Sequence, residues 1–132
     1  MDEPFGGLHV GDQLDPLVLT ISPTANERYW RAAGIDHPLL RAGALYPLIA
    51  ANLTVLALTH HYPVAMIQTR QSLECHRRAD APVELATHAR VIERYAKRDL
   101  EYIVIEANVT IDGEALWDAT SHFTPAASVT AR

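Results

Sequence analysis

Leu39-Leu40-Arg41-Ala42-Gly43-Ala44-Leu45-Tyr46-Pro47-Leu48-Ile49-Ala50-Ala51-Asn52-Leu53-Thr54-Val55-Leu56-Ala57-Leu58-Thr59 is the longest apolar run in the chain, and what it becomes decides the fold. Its length is near that of a membrane span. Arg41, Pro47 and Asn52 interrupt it, so a helix buried in protein is the better reading. That helix is expected from about Leu39 or Ala42 to Leu58, with Pro47 bending it or marking a break between two pieces. Small and apolar residues fall on every side of it, and a helix apolar all round must be surrounded by protein. In a chain of 132 residues, only a strongly curved sheet does that to one helix.

Upstream, Leu17 to Ile21 has the β-branched and apolar character of a strand, after a loose start. Ser22 is placed to cap a helix with Pro23 in its first turn. That helix runs through Glu27, Tyr29 and Trp30 to Ala33, and Gly34 takes the positive-φ position past its end. Pro38 disfavours helix at His37. Downstream, strands are expected over Ala65 to His76, Val83 to Arg94, Leu100 to Ile111 and Glu114 to Phe123. The third is the clearest, with Ile103, Ile105, Ala107, Val109 and Ile111 on one face at period two. Asp80-Ala81-Pro82, Lys97-Arg98-Asp99 and Asp112-Gly113 mark the turns, the last a strong hairpin signal. Thr124-Pro125 ends the last strand, and residues 126–132 read as a mobile tail. Strand, helix, buried helix and four antiparallel strands make one α+β domain over 1–132. Its open sheet edge predicts pairing with a second copy or another subunit.

The net charge of −5 and the scattered Lys and Arg exclude a nucleic-acid role. A single cysteine, Cys75, leaves no disulfide framework and fits a reducing compartment. The acidic start Met1-Asp2-Glu3-Pro4 lacks the features of a signal peptide. His60-His61 suit the C-terminal end of the long helix, and without companions they make no metal site. His76, His88 and His122 lie on strands and read as surface or satisfied core residues. No metal and no cofactor are expected.

Four segments carry a family resemblance. They are Val10-Gly11-Asp12-Gln13-Leu14, then Tyr29-Trp30-Arg31-Ala32-Ala33-Gly34-Ile35-Asp36-His37-Pro38-Leu39, then Arg77-Arg78-Ala79-Asp80-Ala81-Pro82-Val83, and Ile92-Glu93-Arg94-Tyr95 ahead of the clearest strand. Together they resemble the MaoC-like dehydratases, in particular the FAS1-like dehydratase N-terminal domain. The resemblance implies a hotdog fold, a curved antiparallel sheet wrapped around one long apolar helix. It also implies a cytoplasmic protein acting on an acyl thioester of CoA or acyl carrier protein by hydratase or dehydratase chemistry. The family's R-specific hydratases use a Gly-Asp-x-Asn-Pro-Leu-His segment whose Asp and His activate a water. Gly34, Pro38 and Leu39 match that segment. Ile35 stands at the Asp position, His37 at the Asn position and Leu40 at the His position.

Asp36 and His37 are the remaining catalytic candidates, because hydration needs an acid and a base near one water. Adjacent residues in extended backbone point apart, and Asp36 is equally suited to capping or a loop turn. Gly43 and Ala44 are candidates for an oxyanion hole at the start of the long helix, or Gly43 serves close packing. Tyr46 and Asn52, polar residues on the apolar helix, either line a pocket or make structural hydrogen bonds. Arg77 and Arg78 suit a CoA diphosphate or a phosphopantetheine group, or are solvated turn charges. The leading expectation is a hydro-lyase with a non-standard site; the alternatives are a non-catalytic hotdog subunit completing a tunnel beside a catalytic partner and an acyl thioesterase relying on Asp36. Ile35 and Leu40 speak for the non-catalytic alternative.

Overall fold

The structure, a computed structural model, describes residues 4–130. Its elements are β1 (Leu17–Ile21), α1 (Pro23–Ala32), α2 (Pro38–Arg41), α3 (Ile49–His61), β2 (Met66–Cys75), β3 (Val83–Lys97), β4 (Leu100–Ile111), β5 (Glu114–Pro125) and α4 (Ala126–Thr130). One antiparallel sheet in the order β1-β3-β4-β5-β2 holds all five strands. The expected strands therefore pair as the turn signals required. Arg98-Asp99 and Asp112-Gly113 turn the two hairpins with positive φ at both residues, which matches the twist of the flanking strands. Register shifts at Gln68/Arg70, Val91/Glu93 and Val109/Thr110 interrupt the ladders. Such bulges bend and twist a sheet, and here they sit in the strands that curve around α3.

The curved sheet wraps α3, whose buried residues Ile49, Ala50, Leu53, Thr54, Ala57 and Leu58 pack towards β3, β4 and β5. The inward row of β4 is as expected, with Ile103, Ile105, Ala107 and Val109 fully buried. The wrap is not complete. Asn52, Leu56 and His60, four residues apart on one side of α3, stay exposed. A helix apolar all round is thus enclosed on three sides, and the expectation of full enclosure is corrected.

The long helix is also shorter than its apolar run. α2 ends at Arg41 with Ala42 as its cap, Gly43 adopts φ +83°, and α3 starts only at Ile49, after Pro47. The break foreseen at Pro47 is there. The larger cause is Gly43: its N–H bonds the Leu40 carbonyl at 3.1 Å, and the Ala44 N–H bonds the Leu39 carbonyl at 3.0 Å. These are the two hydrogen bonds of a Schellman cap, which ends a helix on a left-handed residue. A Cβ at Gly43 would touch nothing within 4 Å, so the conformation alone resists other residues. Gly43→Ala is expected to cost about 1–2 kcal/mol, read as a lowered melting temperature with no change in far-ultraviolet circular dichroism.

Two terminal readings change. The start is not loose: Phe5, Leu8 and Leu14 are buried against the C-terminal half of α3 and the sheet. Arg94 stacks over the Phe5 ring and donates to the Leu8 carbonyl at 2.8 Å. At the other end, Ala126–Thr130 form α4 where a mobile tail was expected. Met1–Glu3, to which the reading of the acidic start applied, and Ala131-Arg132 lie outside the described residues. No described helix is long and apolar enough to cross a membrane.

Candidate functional site

α1 is built as its sequence demands. Ser22 Oγ accepts the Ala25 N–H at 3.1 Å, Pro23 opens the first turn, and Gly34 ends it at φ +70°. Its inner face carries two buried residues, Asn26 and Trp30, and both grip the segment between α2 and α3. Trp30 Nε1 donates to the Ala44 carbonyl at 2.8 Å. Asn26 Nδ2 donates to the same carbonyl at 2.9 Å, and its Oδ1 accepts the Tyr46 N–H at 2.9 Å. Asp80 forms a bridge with Ala44, and the Leu45 N–H reaches the Ala79 carbonyl at 2.9 Å. The irregular stretch Gly43–Tyr46 is therefore held from two sides.

Between α1, the following loop and α2 lies an open pocket of about 750 Å³. Pro23, Asn26, Glu27 and Arg31 of α1 line it, with Gly34, Ile35, Asp36, Leu40, Arg41, Gly43 and Ala81. Ile35 and Leu40, which the sequence resemblance sets at the family's acid and base positions, both line it. Both are aliphatic, and neither holds nor moves a proton.

The other named residues separate into groups. Asp36 lines the pocket, but its carboxylate takes an ion pair with Arg41 at 3.2 Å, and both side chains are about three-quarters exposed. His37 is not among the lining residues. Its Nδ1 accepts the Leu39 N–H at 3.1 Å as the cap of α2, and its ring stacks on Trp30 at 6.3 Å. Gly43 lines the pocket, yet its N–H and that of Ala44 are consumed by the Schellman cap, so the free N–H pair expected of an oxyanion hole is absent here. Tyr46 packs edge-on to Trp30, and Asn52 donates to the Tyr29 hydroxyl at 3.1 Å on the open side of α3. Arg77 and Arg78 border a separate, mostly apolar cleft of about 330 Å³ with Leu39, Pro47 and Trp117. Arg77 is paired with Glu114, and Arg78 with Asp80 at 3.0 Å.

Asn26, inside the helix expected after Ser22, is a site residue that the sequence did not single out. A polar residue one turn after the N-cap on the side shared with Trp30 was the available signal. Two polar clusters on the outer face of the sheet were likewise not singled out. Tyr95 Oη lies 2.9 Å from His122 Nδ1 and stacks on Tyr102. Burial, with the Tyr102 and Glu93 charges, raises the Tyr95 hydroxyl above the usual phenol range. Asp118 accepts from Asn108 Nδ2 at 2.7 Å and meets His76 Nε2 at 2.6 Å. The Asn108 hydrogen bond, then that of His76, holds the Asp118 carboxyl below the ordinary carboxylate range.

No protein-family model and no curated protein sequence matches the chain. Solved structures do. The HadBC complex of Mycobacterium tuberculosis, a (3R)-hydroxyacyl-ACP dehydratase, aligns with a TM-score of 0.73 at 18% identity, covering 87% of this chain and 96% of that one. The R-hydratase PhaJ1 of Pseudomonas aeruginosa aligns at 0.73 and 16%, covering 92% and 84%. The ChsH1-ChsH2 complex of Mycobacterium tuberculosis aligns at 0.74 and 13%, covering 89% and 98%. The structural neighbours are thus MaoC-like hydratases and dehydratases, and the fold is the hotdog fold.

Proposed function

We propose that this chain takes part in hydratase or dehydratase chemistry on an acyl thioester of CoA or acyl carrier protein. In this reading it is the non-catalytic hotdog subunit that completes the substrate tunnel of a catalytic MaoC-like partner in the cytoplasm. One observation carries it: aliphatic Ile35 and Leu40 face the pocket where an acid and a base are needed, while Asp36 and His37 are spent on Arg41 and on the α2 cap. Two further points support it. Two of the similar structures are complexes of differently named chains. β2 is a ten-residue edge strand with a neighbour on one side only, which suits joining to another sheet. Arg77 and Arg78, beside the apolar cleft, suit the phosphates of the thioester's carrier once they exchange Glu114 and Asp80 for them.

A second reading, that the chain is itself the lyase, draws on Asp36 and His37, of which Asp36 lines the pocket together with Glu27. Turnover of a crotonyl-type thioester separates the two. The isolated chain is expected to show none, and activity is expected on mixing with a catalytic hotdog protein from a neighbouring gene. Asp36→Ala and His37→Ala should leave that joint activity unchanged. Removing the partner's acid or base should lower it by about 10²–10⁴-fold. Hydration by the isolated chain that falls in Asp36→Ala would transfer the proposal to the second reading. Release of free thiol would instead make the chain a thioesterase.

A further inference from the structure

We propose that Glu74, His76 and Asp118 form a binding site for a first-row divalent cation of the Zn²⁺ type on the outer face of the sheet. Their ligand atoms, one imidazole nitrogen and two carboxylate oxygens, all lie within 4.8 Å of one another. The register puts them there. Glu74 pairs directly with Asp118 across β2 and β5. His76 follows two residues after Glu74, on the same face, and its N–H extends the ladder to the Leu116 carbonyl at 2.8 Å.

Two carboxylates directly opposite on antiparallel strands repel one another, and a cation between them reverses the sign of that contact. Arg90 is engaged with Glu106 at 3.0 Å, and Arg77, next to His76 in the chain, with Glu114. Asn108, paired with Asp118 across β4 and β5, donates to Asp118 Oδ1 and leaves Oδ2 turned to His76. An amide fixing the far oxygen of a ligating carboxylate is the usual outer-shell arrangement of metal sites. One imidazole with two carboxylates suits a borderline cation over Mg²⁺ or Ca²⁺, which prefer all-oxygen sets. Three protein ligands on an exposed surface leave at least one coordination position to water. Bound metal would fasten the end of edge strand β2 to β5.

The test is titration of the full chain with ZnCl₂, followed by calorimetry and by the melting temperature. One equivalent per chain should bind and raise the melting temperature, while MgCl₂ should do neither. His76→Ala and Asp118→Asn should weaken binding by about tenfold or more, and Asn108→Ala by about tenfold. Glu74→Gln should lose the thermal response to Zn²⁺ yet melt no lower than the parent without metal, since it removes a like-charge pair; this outcome separates ligation from a purely structural role. A double His60→Ala/His61→Ala variant should bind as the parent does. Absence of saturable binding, binding unchanged in His76→Ala, or binding lost in the His60/His61 variant would each overturn the proposal.

Discussion

Replacing Asn26 by alanine is expected to destabilise the fold by about 3 kcal/mol and lower its melting temperature by about 10 °C. Asn26 is 2% exposed. Its carboxamide donates to the Ala44 carbonyl and accepts the Tyr46 N–H, so one side chain completes both polarities of the segment between α2 and α3. Its other cross-links are the Trp30 bond to the Ala44 carbonyl, the Leu45 N–H on the Ala79 carbonyl and the Ala81 N–H on the Gly43 carbonyl, and none of these serves the Tyr46 N–H. Gly43 and Ala44 spend their N–H groups backwards on α2, and Pro47 has none to give. Truncation leaves the Tyr46 N–H without its acceptor in a part-buried position, and an unmet backbone donor costs about 1–3 kcal/mol by itself. The Ala44 carbonyl keeps Trp30, which limits the loss. Asn26→Asp is the informative companion. It preserves the acceptor for Tyr46 but sets a carboxylate against the Ala44 carbonyl, so it should be at least as harmful as alanine. Urea and thermal melts read both. A cost below about 1 kcal/mol for each would mean that the bonds to Ala79 and Ala81 suffice to hold the segment.

The same segment shows which parts of the chain were legible. Ala33-Gly34 and Ala42-Gly43 are the same signal, a small residue and a glycine after an arginine-bearing turn. At Gly34 the apolar periodicity stops, so the helix end was visible. At Gly43 the apolar run continues, and hydrophobicity masked a cap identical in its hydrogen bonds. The strands were easier, because alternation and turn residues are local properties: β1 and β4 have the bounds read from sequence. The bulges that curve the sheet arise between strands and leave no mark on either one. The Glu74–Asp118 pairing is likewise set by register across 44 residues of separation, since 118 − 74 = 44. At the pocket, the sequence drew attention to the loop from Ile35 to Leu40, of which Ile35, Asp36 and Leu40 line the cavity and His37 does not. The spending of Asp36 on Arg41 and of two N–H groups on a cap depended on geometry at α2, which was taken for part of one long helix.

Leu53→Ala and Leu56→Ala should differ sharply, although the residues are three apart on one helix. Leu53 is 2% exposed and lies in the core cluster with Ile49, Leu85, Val109 and Trp117. Its truncation removes the transfer free energy of the lost atoms and leaves a cavity between helix and sheet, at about 3–4 kcal/mol. The neighbours come from β3, β4 and β5 at once, so no single element relaxes to fill the space. Leu56 is 46% exposed on the open stripe with Asn52 and His60, and its truncation should stay within about 0.5 kcal/mol. The contrast tests the wrapping itself. A helix lying on a flat sheet buries about half its circumference, and Leu56 would then share its cost with Val55 and Ala51. A helix wrapped on three sides confines the tolerant positions to a stripe one residue wide, so Val55→Ala, half-buried in the structure, should fall between the two. Equal costs at Leu53 and Leu56 in urea unfolding of the isolated chain would remove the curved sheet, and with it the hotdog fold on which the functional reading stands.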